Sequence, residues 1–103
     1  MPQVVTVFRS RLRDDVPDEY HHLAAELLEQ ARRIEGFVEQ KVFVADDGER
    51  LTLVVFDSHA AHDQWRDDAR HREAQERGRS DFYEEYDIAV GEVQRRWSWR
   101  RSR

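Results

Sequence analysis

Residues 3–9, Gln-Val-Val-Thr-Val-Phe-Arg, are dense in β-branched and aromatic side chains and predict a strand. Asp14-Asp15-Val16-Pro17-Asp18-Glu19 then has the composition of a helix start, with proline and acids at the positive end of the dipole. Apolar residues follow at three- and four-residue spacing: Tyr20, Leu23, Ala24, Leu27, Leu28, Ala31 and Ile34. That period predicts an amphipathic helix to about Arg33, stopped by Gly36. Residues 37–45 predict a second strand, Asp46-Asp47-Gly48 a hairpin turn, and residues 50–57 a third strand. Ser58 is placed to cap a second helix over 59–78, with a break near Asp67-Asp68 and Gly78 at its end. Residues 79–86 read as a connector, and 87–97 as a last strand.

The order β-α-β-β-α-β is that of a ferredoxin-like α+β fold, with a four-stranded antiparallel sheet under two helices, in one domain over residues 1–103. Strand alternation then sorts the faces. Val5 and Val7 oppose Val4 and Phe8; Leu51, Leu53 and Val55 oppose Val54 and Phe56. Val38, Val42 and Val44 oppose Phe37 and Phe43; Ile88 and Val90 oppose Ala89, Val93 and Trp97. Both faces are apolar, and two helices cover one of them. The other face predicts a second copy of the chain, a large ligand cavity, or both. The expectation is a homodimer with its sheets facing each other.

Composition removes several classes. The 103 residues contain no cysteine, which excludes disulfides, thiolate metal sites and a cysteine nucleophile. Seventeen basic residues against 22 acidic ones leave a net charge of −5, which argues against general nucleic-acid binding. No apolar run approaches the roughly 20 residues needed to span a bilayer. Met1-Pro2-Gln3 runs straight into the first strand with no leader-like segment, so the expected location is cytoplasmic. The four glycines are isolated, so no phosphate loop is present, and no motif suggests a flavin or nicotinamide. The tail from Arg95 to Arg103 interleaves arginines with Trp97 and Trp99, and is expected to extend the last strand across a dimer.

The hairpin ending Val-Val-Phe-Asp-Ser, followed by Trp65-Arg66 and by His71-Arg72-Glu73-Ala74-Gln75-Glu76-Arg77-Gly78-Arg79-Ser80-Asp81-Phe82-Tyr83-Glu84-Glu85-Tyr86, resembles the antibiotic biosynthesis monooxygenase family. That resemblance covers nearly the whole chain and implies a dimeric α+β barrel. Members of that family include cofactor-independent oxygenases acting on aromatic polyketides, haem-degrading enzymes and many proteins of unassigned role. The oxygenases of the family draw on Asn, Trp, Tyr, Arg and His around the substrate, and the haem-degrading members on Asn, Trp and an axial His. This sequence contains no Asn, so that element of both patterns has no counterpart.

Within the resemblance, His71, Arg79 and Tyr83 are the candidate catalytic residues, and Trp65, Arg72, Gln75 and Tyr86 the candidate substrate-binding ones. His71 has the side chain whose ordinary pKa suits a base near neutral pH. It is also the candidate axial ligand if haem is bound. Arg79 can pair with an enolate or phenolate, or with Asp81 or Glu85 at the surface. His71, Gln75 and Arg79 fall on one helical stripe, subject to the break at Gly78. His59 and His62, three apart at the start of the second helix, have the spacing of a metal pair but no clear third ligand, and are expected to be exposed. The function expected is a small monooxygenase acting with dioxygen on a flat aromatic or quinol-type substrate. It would require no cofactor and take neither nucleic acid nor membrane as partner. Haem degradation and non-catalytic ligand binding are the alternatives.

Overall fold

A computed structural model describes residues 2–102, with Arg70 described by its backbone alone. Met1 and Arg103, the ends of the expected start and basic tail, lie outside the described residues. The order is β1 (Val4–Leu12), α1 (Glu19–Arg32), β2 (Phe37–Val44), β3 (Arg50–Phe56), α2 (His59–Arg66), α3 (Ala69–Arg77), a wide π turn (Gly78–Phe82) and β4 (Tyr83–Glu92). All pairings are antiparallel, and the strands lie in the order β2-β3-β1-β4. The ferredoxin-like expectation is therefore met.

Local chemistry explains the boundaries. Ser58 caps α2, its hydroxyl accepting from the Ala61 N–H at 3.2 Å. Gly36 (φ 102°) occupies a conformation that L side chains rarely adopt, and a Cβ there would stand 2.9 Å from the Ala61 Cβ. Its carbonyl accepts from the Asp57 N–H at 2.7 Å, which ties the end of α1 to the end of β3. The helical segment predicted over 59–78 is broken at Asp67-Asp68, as expected. The Gln30 amide reaches across to the Asp68 carboxylate at 2.5 Å and pins this break to α1.

Three boundaries differ from the sequence reading. Gly78 does not end the helical chain, which continues as a widened turn to Phe82. The last strand occupies Tyr83–Glu92 rather than 87–97, because its partner sets its length. Tyr83 pairs with Leu12 at one end and Glu92 with Val4 at the other. Beyond Glu92, β1 has no more strand to offer. After one further bond, from the Val93 N–H to the Gln3 carbonyl at 2.9 Å, residues 94–102 have no regular structure and Trp97 and Trp99 are exposed. Finally, the register of β2 shifts between Phe37 and Glu39. This bulge puts Phe37 opposite Phe56 and on the face of Val42, not on the face of Phe43 as simple alternation requires.

Cross-strand pairing arranges the helix-covered face in rows. Phe37, Phe56, Val4 and Glu92 form one; Gln40, Val54, Thr6 and Val90 the next. Val42, Thr52, Phe8 and Ile88 form the third, and Val44, Arg50, Ser10 and Tyr86 the fourth. The first row is sealed: Val4 and Phe56 are fully buried, and Phe56 and Val54 pack with Ala31, Ile34 and Ala61. Phe37 and Trp65 close over that cluster. The later rows are not sealed, and a cavity opens there. On the opposite face, Val5, Val7, Leu51 and Leu53 are only half-buried and Phe43 is 48% exposed. Ion pairs Arg9–Glu49, Arg11–Asp47 and Arg11–Glu85 stand around it.

Candidate functional site

The cavity has a volume of about 360 Å³ and lies between the sheet and the helices. Thr6, Phe8, Gln40, Val42, Arg50, Thr52, Val54, Ile88 and Val90 form its floor. Tyr20, Ala24 and Leu27 of α1 line one side, and His62, Trp65 and Arg66 of α2 another. His71, Ala74 and Gln75 of α3, with Tyr83 and Tyr86 of β4, complete it. An apolar cavity of this size with a few polar groups is the ordinary form of a small-molecule site.

Its inner end is built by Trp65 and His71. On a straight helix, residues six apart would lie about 120° apart around the axis. The break at Asp67-Asp68 removes that constraint, and the two rings stack with centroids 4.4 Å apart and planes 27° from parallel. Trp65 in turn packs on Phe56, with centroids 5.5 Å apart. Burial pushes the His71 imidazole below its ordinary pKa, against smaller opposing effects of the Arg66 backbone and Asp68. Its Nδ1 is buried without a hydrogen-bond partner. His71 is thus held as a neutral imidazole in the cavity lining, with its Nδ1 enclosed by protein.

The other end is a cluster of aromatic edges. Tyr83 meets Phe8 at 5.4 Å and Tyr86 at 5.9 Å, and Tyr20 meets Phe82 at 5.3 Å. Burial, followed by the neighbouring Tyr20, holds the Tyr83 phenol well above its ordinary pKa, so it stays a hydrogen-bond donor. Gly78 makes this packing possible. A Cβ at that position would lie 2.7 Å from the Tyr83 Cε2. The Arg13 N–H donates to the Phe82 carbonyl at 2.8 Å and fastens the π turn to the end of β1.

The structure brings together five of the seven residues expected at the site: His71, Tyr83, Trp65, Gln75 and Tyr86. Arg79 does not line the cavity. The π turn carries it off the His71–Gln75 stripe, and its Nη1 donates to the Tyr86 hydroxyl at 3.2 Å from outside. Arg72 also stays out. One residue along α3 turns its side chain about 100° away from that of His71, and it sits in solvent 3.6 Å from Asp67. The histidine pair of α2 separates. His59 pairs with Glu92 at 2.6 Å, whereas His62 is buried, not exposed, and lines the cavity beside Trp65. Among the described residues no three metal-ligating groups gather.

Sequence reasoning missed Arg50, Tyr20, Phe8 and His62. For His62 the signal was present: it stands three residues before Trp65 and next to Ala61, on the apolar face of α2. For Arg50 it was weak, since a charged residue at a strand's end reads as solvated.

A four-stranded antiparallel sheet covered by helices on one face, with a cavity between them, places the chain among the ferredoxin-like α+β proteins. A family model for antibiotic biosynthesis monooxygenase matches residues 3–77, and the chain belongs to that family. Protein YqjZ of Bacillus subtilis (strain 168) is 30% identical over 94 residues, covering 91% of this chain and 82% of that one. Rv0793 from Mycobacterium tuberculosis superposes with a TM-score of 0.79 at 16% identity, covering 93% of this chain and 99% of its own. SnoaB, a cofactor-independent oxygenase from Streptomyces nogalater, superposes with a TM-score of 0.74 at 15% identity, covering 93% and 97%. No described helix is long and apolar enough to cross a membrane.

Proposed function

We propose that this chain is a monooxygenase that oxidises a flat aromatic or quinol-type substrate directly with dioxygen. The observation that carries this reading is the neutral, half-buried His71, stacked on Trp65 in the lining of an aromatic cavity. In the proposed reaction His71 takes a proton from an acidic carbon of the substrate, and the electron pair left behind enters dioxygen. The resulting C–O bond belongs to a hydroperoxide, whose O–O bond breaks with loss of water and leaves a carbonyl. One oxygen atom goes to product and one to water, and the substrate supplies all the electrons. Trp65 and Phe8 hold the ring, Gln75 and Tyr86 contact its edge, and Tyr83 donates to a developing oxyanion. Arg79 acts through the Tyr86 hydroxyl.

Haem fits this cavity poorly. About 360 Å³ is near the lower end of the range for small ligands, and a porphyrin is a large macrocycle with two carboxylates. Among the described residues the cavity offers those carboxylates a single unpaired arginine, because Arg66 is held by Asp63 and Asp67.

The working unit in this reading is a homodimer, one domain per chain, whose uncovered sheet faces meet. The half-buried Val5, Val7, Leu51 and Leu53 on that face support it, as do the ion pairs at one edge of it.

Oxygen uptake tests the proposal. A panel of anthrones and naphthoquinols should contain at least one whose protein-dependent oxygen consumption falls by about a hundredfold or more in His71→Ala, the usual scale for a general base. Tight binding without oxygen uptake across the panel would leave a non-catalytic ligand carrier instead.

A further inference from the structure

Two arginines line the cavity, and they differ in how their charge is met. Arg66 is engaged by Asp63 at 3.2 Å and by Asp67 at 3.0 Å. Arg50 is half-buried, and among the described residues no carboxylate pairs with it. The strand explains why its sequence neighbours do not help. Glu49 is committed to Arg9 at 2.9 Å, and Asp47 to Arg11 at 2.8 Å. Arg9 and Arg11 alternate with Ser10, the cross-strand partner of Arg50, so those pairs lie on the opposite face of the sheet. A half-buried guanidinium in the lining of a cavity it shares with Val42, Thr52 and Phe8, with no carboxylate paired to it among the described residues, is suited to an anionic ligand group.

Its position is also specific. Arg50 stands in the fourth row, with Ser10 between it and Tyr86. Its charge is felt at Tyr83, where it opposes the rise in the phenol's pKa. The cation and the tyrosine hydroxyls therefore serve one end of the cavity, and the Trp65–His71 stack belongs to the other, next to the sealed core. We propose that Arg50 is the specificity-determining residue of the site and that its substrates are flat aromatic acids, whose carboxylate or equally acidic enol it holds. This rests on the reading of the cavity as a substrate pocket, and it adds an orientation: acid end at Arg50, Tyr83 and Tyr86, reacting carbon toward His71.

The test uses ligand pairs of equal shape and needs no turnover. Naphthalene-2-carboxylate and naphthalene-2-carboxamide are titrated calorimetrically into the wild-type protein, Arg50→Gln and Arg50→Lys, with melting temperatures confirming folded variants. The wild type should prefer the carboxylate by about tenfold or more, the factor expected of one charge-assisted pair. Arg50→Gln should abolish that preference, weakening the carboxylate far more than the carboxamide, which loses only a neutral-acceptor hydrogen bond. Arg50→Lys, which keeps the charge but not the fork, should retain part of it. A preference unchanged in Arg50→Gln, or absent in the wild type while the carboxamide binds, overturns the role of Arg50 and leaves the oxygenase reading intact. Failure of both ligands to bind the wild type overturns the pocket itself, and with it both proposals.

Discussion

The imidazole of His71 lies stacked on the indole of Trp65, 4.4 Å between centroids, because the chain breaks between α2 and α3. Burial there lowers the His71 pKa, so the folded state resists protonation that the unfolded chain accepts near the ordinary value of about 6.5. The unfolded state binds more protons below that value, and stability must rise with pH through this range. This contribution is present above the unfolded pKa and is lost as pH falls toward and through the lowered folded pKa. Denaturation midpoints of the wild type should therefore fall between pH 7 and pH 5 relative to those of His71→Gln. Parallel curves for the two proteins would show that His71 is not buried as a neutral ring. The same shift predicts that the proposed oxygenase activity reaches its plateau at a lower pH than a base of ordinary histidine pKa would give.

Gly78 and Tyr83 give a second prediction. With a Cβ at position 78 only 2.7 Å from the Tyr83 ring, Gly78→Ala must push that ring or the π turn aside. Overpacking of this kind costs about 1–3 kcal/mol. In a domain of this size the melting temperature should drop by roughly 4–8 °C per kcal/mol. Affinity for the naphthalene probes should fall as well, because Tyr83 is part of the cavity wall. A variant with unchanged melting and affinity would contradict the packing described.

Leu53 lies at the centre of the face that the helices leave uncovered, cross-strand from Val7 and Lys41. Leu53→Glu places a carboxylate where a second copy is proposed to pack, and a single buried unpaired charge is enough to prevent such contact. Sedimentation should give a particle of twice 12.4 kDa for the wild type and one of 12.4 kDa for the variant. A wild type that sediments as 12.4 kDa at micromolar concentration would remove the dimer.

Phe56 is fully buried between the sheet and α2, touching Phe37, Trp65 and His62. Phe56→Ala should cost about 3–5 kcal/mol, a large share of the stability of a domain this small. Because Phe56 supports Trp65 from below, ligand binding should weaken even at temperatures where the variant is folded. Chemical denaturation and calorimetry on the same sample check both parts.

Much of this was readable from periodicity. The stripe from Tyr20 to Ile34, the alternation of β1 and β3, and the Asp46-Asp47-Gly48 turn each specify an element from local chemistry. What was not readable depended on contacts distant in sequence. Tyr83-Glu84-Glu85-Tyr86 has no strand-like alternation of greasy residues, and it becomes β4 because Leu12, Arg11 and Ser10 pair with it. Phe37 changes face through a bulge that no residue type announces. Among the cavity-lining residues, Trp65, His71 and Gln75 were singled out from spacing and resemblance. Arg72 and Arg79 lie outside the cavity lining, because a side chain's direction near a helix break depends on how the turn closes. Arg50 gained meaning only once Glu49 and Asp47 were seen to be occupied elsewhere.

In β3, Arg50, Thr52 and Val54 alternate with Leu51, Leu53 and Val55. A slip of one position would exchange a floor of mixed polarity for a wholly aliphatic one, and would turn Phe56 out of the core at the far end of the strand. Burial therefore polices the alignment of this strand chiefly at Phe56. Stereochemistry holds the other end: Gly36 (φ 102°) and Gly48 (φ 89°) fix where β2 begins and where the hairpin reverses. The recognition chemistry of the cavity is in that sense inherited from two residues with no side chain. Errors at either would be expected to yield well-collapsed chains that have turned their ligand-facing groups outward.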